Sequence, residues 1–380
     1  MDRMTRPLRV GISGSYGGLN LGDEAILQSI IHQLRHSLPV EITVFSRNPD
    51  DTLRRHGVER AIPVRRLARD EVRPELERLD LLIIGGGGIL FDAEAKVFLR
   101  EAQLARELGL PVMVYAIGAG PLDDPATQHV VRDVLSAVQV VTVRERGIRQ
   151  LLEEIGVKRE ILVTADPALL MQPEPLPEAA LRREGLDGKR RLVAMSVREP
   201  GVAAPDLSPE KYHALLANAA DFIVDRLDAE VVFIPMERQV LDVQHAHAVV
   251  SQMLRPQHAA VLKGEYTAGQ ILGLLSAFEF AVGMRLHFLL FAALQNVPFV
   301  ALSYAPKVGG FIEDLGMVMP PLRQVDAGRL IAHIDQSWDH RRELRRQISR
   351  ALPRLLNAAR ENNRIAVEML THAAAERRRQ

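Results

Sequence analysis

Three basic residues open the chemical reading of this 380-residue chain. In residues 283–316, GMRLHFLLFAALQNVPFVALSYAPKVGGFIEDLG, an apolar strand at Phe278–Val282 breaks at Gly283 and turns into a helix whose first residues include Arg285 and His287. A second apolar strand, Pro298–Ser303, ends in a loop carrying Lys307. Both sets of basic groups fall just past the carboxyl ends of strands, where ligands bind in an open parallel α/β sheet. A helix macrodipole disfavours cations in the first turn, so Arg285 and His287 there fit best with an anion among them. A small, doubly anionic substrate is the first expectation. Lys307 gains weight from scarcity, because lysine otherwise occurs only at positions 96, 158, 189, 211 and 263 while arginine carries the rest of the positive charge.

Two further arginines stand at strand ends. Arg144 follows the strand Val138–Val143, and Arg198 ends the first strand of the second half. Each reads either as a ligand contact or as half of an ion pair. Glycines mark the loops that would meet a substrate. The first, GISGSYGGLNLGDEAIL, lacks the dinucleotide pattern G-x-G-x-x-G. It offers Gly22 for close approach, Asn20 as a turn former, and Asp23 and Glu24 at the start of a helix. Carboxylates are favoured at a helix N-terminus in any case; they could equally orient sugar hydroxyls or move a proton. Next, LLIIGGGGILFD sets four glycines directly after an apolar strand, with Gly86, Gly87 and Gly88 as substrate-facing candidates and Asp92 either beside them or capping the next helix. A third loop, AIGAGPLDD, uses Gly118 and Gly120. His32 and His36 have helical metal spacing without a further ligand nearby, and His245 and His247 point to different sides of a helix; no metal site is expected.

The elements that must hold these residues alternate. Strands read at Leu8–Ser13, Val40–Phe45, Leu79–Ile84, Val112–Ala116, Val138–Val143 and Ile161–Val163, then at Leu192–Val197, Val231–Ile234, Phe278–Val282 and Pro298–Ser303. Helical periodicity separates them, as at Asp23–Leu38, Ala93–Leu108, Pro209–Leu227 and Leu241–Leu254. This is the pattern of doubly wound parallel sheets. A Pro-, Gly- and charge-rich stretch, Met171–Arg191, reads as a connection between two domains, 1–172 and 190–335. Residues 336–380 read as a helical tail, from Trp338 onward, with a kink or break at Pro353. The expected fold is α/β: two Rossmann-like domains facing across a cleft, GT-B-like, with C-terminal helices.

Composition narrows the class. Formal net charge is zero, with 48 basic and 48 acidic residues, which argues against a nucleic-acid partner. Cysteine is absent, which removes disulfides and thiolate chemistry. The first residues, MDRMTRPLRVGIS, lack the apolar core of a signal peptide, and no run reaches the ~18 apolar residues of a spanning helix. A cytoplasmic protein is expected. The arginines at 341, 342, 345, 346, 350 and 354 read as the solvated face of an amphipathic closing helix, or as a peripheral contact with an anionic membrane surface.

In order along the chain, GxxGxxNxGDEAIL, the GGGG strand end with its Asp, VRER, ADPALL, GMRLH and SYxPKVxGFxEDLG together resemble the polysaccharide pyruvyl transferase family. The resemblance runs from Gly11 to about Gly316 and is nearest to the CsaB type, which is associated with surface-layer anchoring. It implies a GT-B-like enzyme with no cofactor that takes phosphoenolpyruvate as donor, sets its pyruvyl group as a ketal across two hydroxyls of a sugar, and releases phosphate. In the CsaB type that sugar is N-acetylmannosamine in a lipid-linked precursor of a secondary cell-wall polymer. It also implies functional roles for Arg144, His287 and Lys307. The chain departs from the family in reading VRER where VRD is usual, and in its SGSYGG start. The donor's carboxylate and phosphate would suit the cations Arg144, Arg198, Arg285, His287 and Lys307. His287 would serve as an acid or hold phosphate. Asn20, Gly22, Asp23, Glu24, Gly86, Gly87, Gly88, Asp92, Gly118 and Gly120 would face the acceptor. The competing expectations are a GT-B glycosyltransferase using a nucleotide sugar, and a non-catalytic glycan-binding relative.

Overall fold

The computed structural model describes residues 6–64, 66–186, 190–201, 207–237, 242–302, 305–318 and 325–377. Lys189, the helix start expected at Leu241 and the strand end expected at Ser303 lie outside them. The chain forms two compact units. The first comprises the residues up to Leu19, Asp23–Met171 and the residues from Leu355; the second comprises Asn20–Gly22 and Gln172–Arg354.

In the first unit the strands are β1 (Leu8–Ser13), β2 (Val40–Ser46), β3 (Arg60–Pro63), β4 (Leu81–Leu90), β5 (Val112–Ala119), β6 (Val140–Val143) and β7 (Ile161–Val163). They form one parallel sheet in the order β3-β2-β1-β4-β5-β6-β7. The second unit holds β8 (Arg191–Ser196), β9 (Ala229–Phe233), β10 (Ala259–Val261), β11 (Phe280–Gly283) and β12 (Phe299–Ala301), parallel in the order β10-β9-β8-β11-β12. Helices cover both faces of such sheets, so the central strands read as continuous apolar runs; Val10, Ile12, Leu82, Ile84, Val193 and Ala281 are all buried. The winding direction reverses between β1 and β4 and again between β8 and β11, which puts a ligand crevice at each carboxyl edge.

Several local expectations change. The strand before the glycine run does not stop there: β4 continues to Leu90 and pairs with β5, Gly88 opposite Gly118. Gly85, Gly86 and Gly87 adopt φ of +148°, +71° and +84°, a region that L side chains rarely enter, so only glycine keeps the pairing going here. β5 likewise runs on to Ala119. The edge strands β3 and β10 were not legible, being four and three residues long without strong alternation. The helix expected at Ala93–Leu108 is two, Ala95–Phe98 and Arg100–Glu107, joined at the buried Leu99.

Lys307 lies not in a loop but in the first turn of the helix Pro306–Asp314, where Pro306 supplies a pre-set φ. At the tail, Trp338 closes the helix Ala327–Asp339, and Arg341–Arg377 is one helix with Pro353 inside it. That helix buries Ile348, Leu355, Ala359, Ile365, Ala366 and Leu370. Such a face outweighs the ~3 kcal/mol that an interior proline costs.

Candidate active site

In the first unit the site grows from the carboxyl ends of β1, β4, β5 and β6. Tyr16, just past β1, is fully buried and donates its hydroxyl to the Gly85 carbonyl oxygen. Burial pushes its pKa well above that of a free tyrosine, and the carboxylates of Asp23 and Glu24 add to the effect. Glu24 is buried as well. One of its oxygens accepts the Gly17 N–H at 2.9 Å and the other meets His56 Nε2 at 2.7 Å. Its part is therefore to brace the glycine loop. Asp23, half-exposed, covers Gly87: a β-carbon there would stand 2.9 Å from Asp23 Oδ1. Gly88 is exposed, with nothing within 4 Å of its β-carbon position.

Arg144, one residue past β6, is 5% exposed, and its guanidinium is held on two sides. Nε donates to Glu145 Oε1 and one terminal nitrogen to Asp166 Oδ2, each at 2.9 Å. Burial works against the cation, but the two carboxylates more than restore it and leave its pKa raised. The other terminal nitrogen lies 2.9 Å from where a Gly118 β-carbon would stand, under the paired ends of β4 and β5. The Glu of VRER thus acts as a direct partner of Arg144. Asp92 and Gly120 serve the turn beside this site. Asp92 accepts the N–H groups of Asp123 and Asp124 at 2.9 and 3.0 Å rather than capping the next helix, and Gly120 N–H donates to Leu90 at 2.7 Å.

The second unit gathers its residues at the ends of β8, β11 and β12. Arg285 is the N-cap of the helix Leu286–Leu294, and His287 lies in its first turn. Arg285 Nε donates to Asp242 Oδ2 at 3.0 Å, and a terminal nitrogen bonds both Asp242 Oδ1 and, at 3.0 Å, Glu237. The buried Asp242 also accepts the backbone N–H groups of Met236 and Glu237, each at 3.1 Å. Its position in a polar helical stretch gave no local signal. The tripeptide Asn20–Gly22 belongs here too. Asn20 bridges to Glu237, Leu21 N–H donates to the Met236 carbonyl oxygen at 2.8 Å, and the Asn20 side chain accepts the Gly22 N–H at 3.0 Å, a turn-forming role. Gly22 lies against His287: a β-carbon on it would sit 2.0 Å from Nδ1.

Arg198, two residues past β8, pairs with Glu199, and its carbonyl oxygen accepts from the buried Tyr212 hydroxyl. Lys307 stands half-buried past β12. Two histidines line the same rim, His213 Nε2 and His245 Nδ1 being 2.7 Å apart. Among the described residues no group of three or more His, Cys, Asp or Glu side chains is arranged to hold a metal ion.

Two parallel-sheet α/β units with C-terminal helices and a crevice at each winding reversal define a GT-B-like protein. The family model of polysaccharide pyruvyl transferases matches residues 20–306, and the chain belongs to that family. It is a transferase of polysaccharide pyruvylation with a saccharide acceptor. The amylovoran biosynthesis protein AmsJ of Erwinia amylovora is 20% identical over 291 residues, 73% of this chain and 70% of that one. In fold, the chain resembles a protein from Listeria monocytogenes described as a putative UDP-N-acetylglucosamine 2-epimerase, with a TM-score of 0.66 and 13% identity over 96% of both chains. It also resembles Anabaena HepE in complex with UDP, with a TM-score of 0.63 and 14% identity over 96% of this chain and all of that one.

Proposed function

We propose that the chain transfers the pyruvyl group of phosphoenolpyruvate to two hydroxyls of a sugar as a ketal, with release of inorganic phosphate. The observation that carries this reading is the placement of Arg285 at the N-cap and His287 in the first turn of the helix after β11, and of Lys307 in the first turn of the helix after β12. Helix N-termini and cations together favour a small ligand with several negative charges. Arg285 reaches the site bonded to Asp242 and Glu237, and Arg198 paired with Glu199; with His287 and Lys307 they would meet the donor's charge. Within the first unit, Arg144 is given a role on the substrate, and the half-exposed Asp23 and the exposed Gly88 suit sugar hydroxyls.

In the reaction, protonation of the enol carbon makes the methyl group and leaves a cationic centre. A sugar hydroxyl attacks that centre and loses its proton. Phosphate departs with the C–O bonding pair, and the second hydroxyl closes the ketal with loss of its own proton. The acceptor in this reading is N-acetylmannosamine in a lipid-linked cell-wall polymer precursor, as in the CsaB type.

The test is phosphate release with phosphoenolpyruvate and a panel of synthetic or lipid-linked N-acetylmannosamine acceptors. Acceptor-dependent release is the expected result, and Lys307→Ala should lower it severely, because a charge-assisted hydrogen bond contributes ~1.5–3 kcal/mol. Turnover of UDP-sugars with no release from phosphoenolpyruvate would favour a glycosyltransferase instead.

A further inference from the structure

The ADPALL segment has no part in the reading above, yet its aspartate is built into the site. Asp166 follows the edge strand β7 and is 7% exposed. Its two oxygens do separate jobs. Oδ1 accepts the Ala168 N–H at 3.0 Å and caps the short 3-10 helix Pro167–Leu170, whose Pro167 provides the first residue. Oδ2 accepts from Arg144 at 2.9 Å. With Glu145 on Nε, Asp166 fixes the plane of the guanidinium and turns its remaining terminal nitrogen toward Gly118. A free arginine side chain has ~2 kcal/mol of rotamer entropy to lose. Two carboxylates that bind it before the substrate arrives remove much of that cost from the reaction.

We infer that Asp166 is a positioning residue that acts through Arg144, and that the ADPALL segment exists to present it. The inference rests on the pyruvyl-transfer reading, in which Arg144 acts on the substrate. Asp166→Asn separates the two jobs. An asparagine caps about as well as an aspartate, so its carbonyl oxygen keeps the Ala168 bond while its NH2 faces the Arg144 donor and repels it. The guanidinium is then held by Glu145 alone.

The experiment measures phosphate release and the urea midpoint for the wild type, Asp166→Asn, Arg144→Lys and the double variant. A misplaced catalytic group costs up to ~10²-fold, so Asp166→Asn should lose about tenfold to a hundredfold in kcat/KM with its urea midpoint held. In the Arg144→Lys background the same change should cost less than about twofold, the non-additivity expected of one acting unit. Full activity of Asp166→Asn would overturn the inference. So would an equal loss in both backgrounds, or a loss matched by unfolding. If the wild type itself releases no phosphate from phosphoenolpyruvate, the pyruvyl-transfer reading falls and this inference falls with it. Wild-type release with an indifferent Asp166→Asn sinks the inference alone.

Discussion

Gly22 shows how narrow the tolerance around His287 is. A β-carbon at Gly22 would be 2.0 Å from Nδ1, well inside contact, so Gly22→Ala must push the imidazole away or lift the tripeptide off Met236 and Glu237. The overpacking itself costs about 1–3 kcal/mol, and the displaced histidine should cost on the order of 10²-fold in turnover. Phosphate-release kinetics beside urea unfolding checks this, and an active Gly22→Ala enzyme would show that His287 does not need its observed position. At this scale the sequence was readable where chemistry needs an unusual residue in an unusual place. Arg285 and His287 announced themselves as cations at a helix start, Lys307 as a scarce lysine past a strand end, and Gly86 and Gly87 as a costly glycine run. Glu24 read like Asp23 as a helix-start acid that could face the acceptor, because adjacency in sequence cannot tell which of two carboxylates turns inward to His56. Asp166 and Asp242 went unrecognised for a related reason: their partners, Arg144 and Arg285, lie 22 and 43 residues away.

The long C-terminal helix poses the clearest question at the scale of the element. Pro353 is exposed on it, so its side chain adds little packing, and its cost falls on the backbone. Replacing it with alanine removes a penalty of ~3 kcal/mol in the helix. The freer unfolded chain returns ~0.4–1 kcal/mol of that. Pro353→Ala should therefore raise stability by about 2 kcal/mol, read as a higher urea midpoint at constant slope; an unchanged or lower midpoint would reject this account of the helix. The arginines of the same helix are partly engaged within the protein. Arg341 stacks on Trp338 at 4.3 Å, Arg346 faces Glu343 at 3.5 Å and Arg354 bonds the Asp314 carbonyl oxygen at 2.8 Å. These contacts fit the closing-helix reading of the basic run. Periodicity identified this helix but not its unbroken length, since a local rule about proline does not see the apolar face that overrides it.

For the whole molecule, acid stability follows from a pair of half-buried histidines. Burial holds the pKa of His213 below its ordinary value, against the pull of Glu210. His245 is lowered by burial and by His213, with Arg198 and Arg285 adding to the effect and Asp242 opposing it. Both are then neutral in the fold, while the unfolded chain takes up protons near the ordinary value of ~6.5. The unfolded state binds more protons in that window, so stability is complete above it and declines as pH falls toward the lowered folded values. The urea midpoint should drop between pH 7 and pH 5, and drop less in a His213→Gln, His245→Gln double variant. Equal pH slopes in the two proteins would remove the histidine pair as the cause.

The sequence by itself determined the class of fold, the alternation that builds two parallel sheets, and the loops at their carboxyl edges. Those features follow from local periodicity, turn chemistry and the rule that ligands meet strand ends at a winding reversal. Tertiary structure decided which carboxylates hold Arg144 and Arg285, that Glu24 is a brace, and that Asn20–Gly22 packs with the second unit against His287. Each of these depends on contacts between residues far apart in the chain, where burial and hydrogen-bond satisfaction, rather than local preference, select the partner.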